Sequence, residues 1–376
     1  MSVGNITQRN VSTITARRRF PVQSTMLCLF LATVLLQVGH ALITRHSNLV
    51  RPPSHLGATP TLGFLSFDLD DTLFPTGKVV DQANAKMITY MQDLLTHQNQ
   101  KQTERITLPA FLQTTKEIRY GLEGPITYTA LRKKAIAATL EPYLSSSTDL
   151  QQVINDCYQV WETERHKAAE QYLFPDTLDM LQTIQRKFPD VCIAAITNGK
   201  GNPLYMSDTL EPYFAFCVSG EDDHVFPNRK PAAGIYHVAL EQYRQHAPHH
   251  DQDQHLWCHV GDCLANDVGA SADCGAMAIW YNPKEEEEEE ERSSSRLEGK
   301  NPSWSTASAD DIQKRQQLAD AAKDKAAVTV QSLSELVYAI DQLVERAAKG
   351  EPANAWLVQH HRMNIYLDVN KISKEI

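Results

Sequence analysis

The sequence predicts an α/β fold: a doubly wound, Rossmann-like parallel sheet core with an inserted α-helical cap domain. Three observations predict it. Short apolar runs rich in β-branched and aromatic residues recur, each followed by a helical pattern. Continuous apolar strands alternating with helices argue a parallel sheet covered on both faces. More than a hundred residues of helical spacing separate the first run from the second, so a helical module interrupts the sheet after strand one. Of the 376 residues, 42% are hydrophobic and 22% charged, enough to bury a sizeable core in about two compact units. That composition excludes a mainly disordered chain, a collagen and a polytopic membrane protein.

Residues 1–57 read as an address. Residues 1–67 contain six Arg and no acidic residue, and the rest carries 30 basic against 46 acidic residues, a net charge of −16. A body so acidic repels nucleic acid, and no basic patch with interleaved aromatics offsets it. Arg17, Arg18 and Arg19 precede an eleven-residue apolar run from Met26 to Leu36, with a small-residue cleavage site at Gly39-His40-Ala41. That is the layout of a signal peptide, while the acid-free, Arg- and Ser-rich composition is that of an organelle transit peptide. A plastid or mitochondrial destination is expected, with the secretory pathway or a membrane anchor as the alternative. Any membrane contact is confined to the apolar stretch 26–44, which Gln37 and His40 interrupt and which barely spans a hydrocarbon core of ~30 Å. Six cysteines lie in the body, three of them in apolar strand-like runs and none in a Cys-x-x-Cys pair. They read as reduced thiols.

The first strand is expected over 62–67, within a first core segment of residues 58–75. Helices follow over 81–95, 108–120, 127–139 and 150–169, where apolar residues recur at three- and four-residue spacing. They make up a cap of residues 76–172. The core resumes over 173–282 with a helix at 176–187, opened by Pro175 and Asp176, and strands at 191–196, 214–218, 256–260 and 276–280. The His- and Asp-rich stretch 244–255 falls where a polar helix-to-strand loop belongs. Residues 283–326 hold seven consecutive Glu (285–291), three consecutive Ser and mostly polar residues. So little apolar surface does not offset ordering entropy, and a disordered acidic insertion is expected. A last strand at 327–330 and its helix complete the core at 327–346. Residues 347–376 form a C-terminal extension without an assigned role.

The chemistry gathers at strand ends. The first strand runs straight into Asp68-Leu69-Asp70-Asp71-Thr72. Acids are costly in a buried sheet unless they project from its C-terminal edge, where doubly wound folds bind ligands. A helix N-cap explains one acid there, hardly three in five positions. Paired carboxylates suit a nucleophile with a general acid–base, or a hard-cation site. The second core strand ends in Thr197-Asn198-Gly199, a hydroxyl and backbone N–H groups that suit an anion, although such a turn is also ordinary. Lys230 precedes Pro231 and by itself reads as a surface charge. The strand at 256–260 runs into Gly261-Asp262, with Asp267 five residues on. Carboxylates, Thr, Lys and carboxylates would all meet at one sheet edge, and so many negative charges would repel a phosphate without a cation and Lys230.

Asp-x-Asp-x-Thr, then Thr, then Lys-Pro, then Gly-Asp-x-x-x-x-Asp is similar to the four ordered motifs of the haloacid dehalogenase-like (HAD) superfamily. The likeness extends from about residue 62 to 280, resumes near 327–347, and includes Phe174-Pro175-Asp176 and Glu211-Pro212-Tyr213-Phe214. The helical insertion resembles the cap of the C1-capped subgroup, which holds small-metabolite phosphatases and β-phosphoglucomutase-like enzymes. The resemblance implies an Mg²⁺-dependent phosphomonoesterase acting on a small phosphorylated metabolite. Asp68 would be the nucleophile and Asp70 the acid and base. Thr197 would hold the phosphoryl group, with Asn198 and Gly199 beside it, and Lys230 would neutralise it. Asp262, the Asp68 carboxylate and the Asp70 main-chain carbonyl would ligate Mg²⁺, with Asp267 orienting Lys230 or a metal-bound water. Asp71 matches no role. Haloacid dehalogenases proper lack an acid at position 70 of this chain, and transport ATPases have Thr there, so neither chemistry is expected. The segment 121–132 of the cap is expected to choose the substrate, with Arg132 clamping a distal anionic group. A phosphomutase shares these motifs, and a non-catalytic scaffold using Glu285–Glu291 as its contact is the alternative from another class.

Overall fold

A computed structural model describes residues 60–97, 103–145, 148–247, 255–283 and 309–351. The expected N-terminal address, the acidic run 285–291 and nearly all of the C-terminal extension lie outside the described residues. Six strands form one parallel sheet: β1 (Thr61–Phe67), β2 (Cys192–Thr197), β3 (Phe216–Ser219), β4 (His255–Gly261), β5 (Met277–Tyr281) and β6 (Val328–Val330). Their order is β3-β2-β1-β4-β5-β6. β1 is central, pairing with β2 from Phe64↔Cys192 to Phe67↔Ala195 and with β4 up to Phe67↔Val260. Because the chain moves outward from β1 in both directions, the crevice between the C-terminal ends of β1 and β4 is the topological switch point.

Both sheet faces are covered, which is why the strands read as continuous apolar runs. On one face Leu65 and Phe67 pack with α5 (Thr177–Lys187) and α8 (Leu336–Ala348). On the other, Phe64 stacks on Tyr243 of α6 (Ala233–His246) at 4.7 Å between ring centroids and on Trp257 at 5.6 Å. The register shifts between Leu62 and Phe64, at Gly63, where a Cβ would come within 2.3 Å of His255. The irregularity puts Leu62 and Phe64 on opposite faces although they stand two residues apart.

Between β1 and α5 come four helices: α1 (Thr76–His97), α2 (Leu108–Tyr120), α3 (Tyr128–Leu140) and α4 (Leu150–Gln171). They enclose their own core of Met87, Met91, Phe111, Ile136, Leu140, Cys157 and Trp161. Thr107, Thr127 and Asp149 each accept a hydrogen bond from the N–H three residues on, so the starts of α2, α3 and α4 are set by local side chains. The two connections to the sheet touch each other, Phe174 N–H donating to Leu73 O at 2.8 Å.

The expectation of disorder across 283–326 ends too late. Residues Ala309–Ala322 form a helix, α7, and Ala322 is buried against Gly269. The polar composition concealed a run of Ala, Gln, Lys, Arg and Leu, all strong helix formers. The third strand begins two residues later than expected, at Phe216, because Phe214 leaves the strand and packs on Phe67 at 6.1 Å. All six body cysteines are free thiols, and no helix among the described residues is long and apolar enough to cross a membrane.

Candidate active site

The motifs meet at the switch point because each follows a strand of the same sheet. Asp68 continues β1, its N–H bonded to Val260 O at 2.8 Å. Asp262 follows β4, and Thr72 braces it. Asp262 N–H donates to Thr72 Oγ1 at 3.1 Å, and that hydroxyl points at Asp262 Oδ1 at 3.4 Å. Asp267 enters from the helical segment Leu264–Gly269, where a Cβ on Gly261 would lie 2.4 Å from its side chain. Gly261 is thus the space that Asp267 occupies. Oxygens of Asp68, Asp262 and Asp267 lie within 4.8 Å of one another.

Lys230 reaches into this group from the loop before α6, and its ammonium is buried. Its Nζ donates to Asp68 Oδ1 at 2.7 Å, Asp267 Oδ1 at 2.7 Å and Ile196 O at 2.8 Å. A lysine that by itself reads as a surface charge thus stands among the acids, as its place in the motif order implies, with its three donors all met inside. Asn198 fixes the backbone behind it: Lys230 N–H donates to Asn198 Oδ1, and Asn198 Nδ2 donates to Lys230 O, both at 2.8 Å. The Asn198 side chain is therefore committed to the lysine.

Asp267 Oδ2 accepts from Cys263 N–H at 3.0 Å, so both its oxygens are engaged. Behind it a buried chain runs through His259, whose Nε2 lies 3.5 Å from Asp267 Oδ1, and Ser66, 2.8 Å from His259 Nδ1. Trp257 Nε1–H donates to Ser66 Oγ at 2.8 Å. Burial keeps His259 below its ordinary range and hence neutral. A lone pair facing a carboxylate would be repelled, so the imidazole proton sits on Nε2 and Ser66 donates to Nδ1.

Burial raises the Asp68 carboxyl well above the usual carboxylate range. Lys230 pulls it down, while Asp267, Asp262 and Asp70 push it up again. Burial also works to raise Asp267, but Lys230 and His259 overcome it and hold that group down at about 2. Burial alone would lower the lysine, yet Asp267 and Asp68 hold it above its ordinary value. Asp68 and Asp267 are buried and Asp262 half-buried, and against these three carboxyl groups the cluster itself holds one ammonium, that of Lys230. Hard oxygen donors so placed fit a divalent cation such as Mg²⁺ or Ca²⁺.

Asp70 turns away from this cluster. Its Oδ1 accepts from Arg165 Nη2 of α4 at 2.7 Å, while a Cβ on Gly199 would come within 2.5 Å of its Oδ2. Thr197 is buried at the end of β2, its Oγ1 accepting from Gly199 N–H at 3.1 Å and keeping its own proton to donate. Asp71, which matched no catalytic role, holds the start of α1, its Oδ1 accepting from Thr76 N–H at 3.0 Å. The structure does not join Arg132 to the set. Its Nη1 donates to Asn84 Oδ1 at 2.7 Å and its guanidinium lies 3.9 Å over the Trp161 ring, inside the cap, where burial lowers it to about 9.

Sequence reasoning passed over Arg165, His259 and Ser66. One signal for Arg165 was present. Ile154, Cys157, Tyr158, Trp161, Ala168 and Ala169 form the buried stripe of α4, and Arg165 stands in line with them, four residues after Trp161.

A central β1 ending in a carboxylate, the lysine-bridged acids and the helical insertion together define the class. The chain belongs to the haloacid dehalogenase-like hydrolases, whose family model matches residues 65–275. It is similar to 5-amino-6-(5-phospho-D-ribitylamino)uracil phosphatase YigB of Escherichia coli strain K12, with 26% identity over 223 residues, 58% of this chain and 83% of that protein. Among solved structures it is similar to 2-haloacid dehalogenase from Pseudomonas syringae pv. Tomato DC3000, with a TM-score of 0.50 and 20% identity over 75% of this chain and 99% of the other. That likeness is one of fold. The chain is thus a hydrolase with the architecture read from its sequence.

Proposed function

We propose that this hydrolase is an Mg²⁺-dependent phosphomonoesterase that cleaves a small phosphorylated metabolite through an aspartyl-phosphate on Asp68. The observation that carries the reading is the meeting of the Asp68, Asp262 and Asp267 carboxyl groups within 4.8 Å of one another at the sheet's edge, with Lys230 bridging Asp68 and Asp267. The carboxylates of Asp68 and Asp262, with the Asp70 main-chain carbonyl, would hold the ion, which supplies positive charge against the phosphoryl oxygens. Asp267, whose oxygens are both engaged, stands behind them as the partner of Lys230. Support also comes from YigB, a phosphatase by name.

Asp68 attacks phosphorus as the ester P–O bond breaks, and Asp70 gives its proton to the departing oxygen. Asp70 then takes a proton from water, whose oxygen attacks the phosphorus of the aspartyl-phosphate. Inorganic phosphate leaves and Asp68 returns as carboxylate. Lys230 holds Asp68 Oδ1 throughout, and Thr197 donates its hydroxyl proton to the phosphoryl group. The acid at position 70 is what a phosphate ester requires and a carbon–halogen bond does not, which favours this chemistry over dehalogenation. The cap, of the C1 type, supplies substrate choice, and residues 1–57 direct the chain to a plastid or mitochondrion.

The test is phosphate release from a panel of small phosphomonoesters by the full chain, with and without Mg²⁺, beside Asp68→Asn. Metal-dependent release that the substitution abolishes is the expected result. Absence of release from every ester, with Mg²⁺ bound, would overturn the reading. Interconversion of phosphate isomers without release would move it to a phosphomutase.

A further inference from the structure

Arg165 has no place in the chemistry above, yet it makes the one direct contact to the Asp70 carboxylate found among the side-chain hydrogen bonds of the described residues. Its side chain is 3% exposed, and its Nη2 crosses from the cap helix α4 to Asp70 Oδ1 at 2.7 Å. Its Nη1 is buried without a hydrogen-bond partner. A guanidinium so enclosed loses its hydration and leaves a donor unmet, a costly arrangement that a well-packed apolar pair would avoid. The core loop beneath is shaped to receive the pair. A Cβ at Gly199 would stand 2.5 Å from Asp70 Oδ2, and one at Gly201 would stand 2.6 Å from Arg165 Nη1.

The same helix is pinned to the same loop by two residues that follow this contact. His166 Nε2 accepts from Asn202 N–H at 3.3 Å, and Glu170 Oε1 accepts from Asp208 N–H at 3.0 Å and Thr209 Oγ1 at 3.1 Å. Arg165 therefore stands on a fixed base. With Oδ1 taken, Asp70 can offer only Oδ2, which faces Gly199 beside Thr197.

We propose that Arg165 is the positioning residue for Asp70: by holding Oδ1 it makes Oδ2 the oxygen that gives the proton to the leaving group. The proposal rests on the phosphomonoesterase reading and adds a residue of the cap to the proton-transfer step. Asp70 acts correctly only while the base of α4 is seated on the 199–209 loop, so the two halves of the molecule share one catalytic geometry.

The experiment compares kcat/KM of the full chain in Mg²⁺ for two esters that differ in leaving group. One is 4-nitrophenyl phosphate, whose phenolate departs without a proton; the other is an alkyl phosphate such as glycerol phosphate, whose alkoxide needs one. Arg165→Met should lower kcat/KM for the alkyl ester by about a hundredfold, the low end of a general acid's contribution, and for the aryl ester by less than about tenfold. Arg165→Lys keeps a buried cation and so protects folding, but it lacks the guanidinium fork. It should show the same alkyl-selective loss in smaller measure. Equal losses on both esters would make Arg165 a merely structural residue, and no loss on either would remove it from the reaction; each overturns the proposal. A wild-type protein that releases phosphate from neither ester would instead sink the phosphomonoesterase reading, and the positioning role with it.

Discussion

Lys230 Nζ bridges Asp68 and Asp267, 2.7 Å from each. Removing it leaves Asp68 and Asp267 facing each other in a dry site, and breaking a buried pair in this way costs about 3–5 kcal/mol. Lys230→Met should therefore lower the unfolding free energy in urea by that amount in metal-free buffer, and adding Asp267→Asn should recover part of it. A loss unchanged by the second substitution would mean that repulsion between the acids is not its cause. His166 gives a second prediction. Burial and then the adjacent Arg165 lower its pKa from 6.5 to about 4. The folded state thus binds its proton less readily than the unfolded one, so this contribution to stability is full above pH 6.5. It is lost as the pH falls from 6.5 through 4, to a total of about 3 kcal/mol. Denaturant midpoints of wild type should fall across that window, and His166→Gln should flatten the slope. A slope unaltered by the substitution would assign the acid sensitivity to other groups.

Among the elements, the start of α3 joins cap to core. Glu221, in the loop after β3, accepts from Tyr128 N–H at 2.9 Å and Thr129 N–H at 2.7 Å. Thr127 satisfies Ala130 N–H, so the first turn of α3 is capped partly by its own residue and partly from the core. Arg229, next to Lys230, donates to Ile126 O at 3.0 Å and lies 4.6 Å over the Tyr128 ring. The stretch 121–132, expected to choose the substrate, is thus held at Ile126, Tyr128 and Thr129 by Glu221 and by the neighbour of Lys230. Glu221→Gln should accelerate hydrogen exchange at Tyr128 and Thr129 while leaving the start of α2 unchanged. Equal protection in both proteins would show that the carboxylate charge does not hold the turn. None of this was legible from local pattern. The residues next to Glu221 and Arg229 do not mark them, because the helix end they serve lies about ninety to a hundred residues away in the chain.

Across the whole molecule, stability and site geometry share β1. Phe64, fully buried, stacks on Tyr243 and Trp257, so Phe64→Ala should cost about 3–5 kcal/mol by chemical denaturation. A cost below about 1 kcal/mol would mean that the core closes over the gap. The sheet and the positions of Asp68, Thr197 and Asp262 could be read in advance because each depends on neighbours in the chain. An apolar run sets the strand, and the residue that ends the run stands at the sheet's edge whatever happens elsewhere. Helix α7 escaped that reading because its polar residues show no apolar face, only helix-forming preference. Chain order and local pattern therefore suffice for the parallel sheet, the inserted helices and the strand tips that carry acids. Packing alone settled that Asn198 serves Lys230, that Arg132 is spent within the cap and that Asp70 is held by Arg165, 95 residues away. Hydrogen bonds and ion pairs act over about 3 Å, and which polar groups come that close depends on how distant segments pack, information that periodicity and spacing along the chain do not contain.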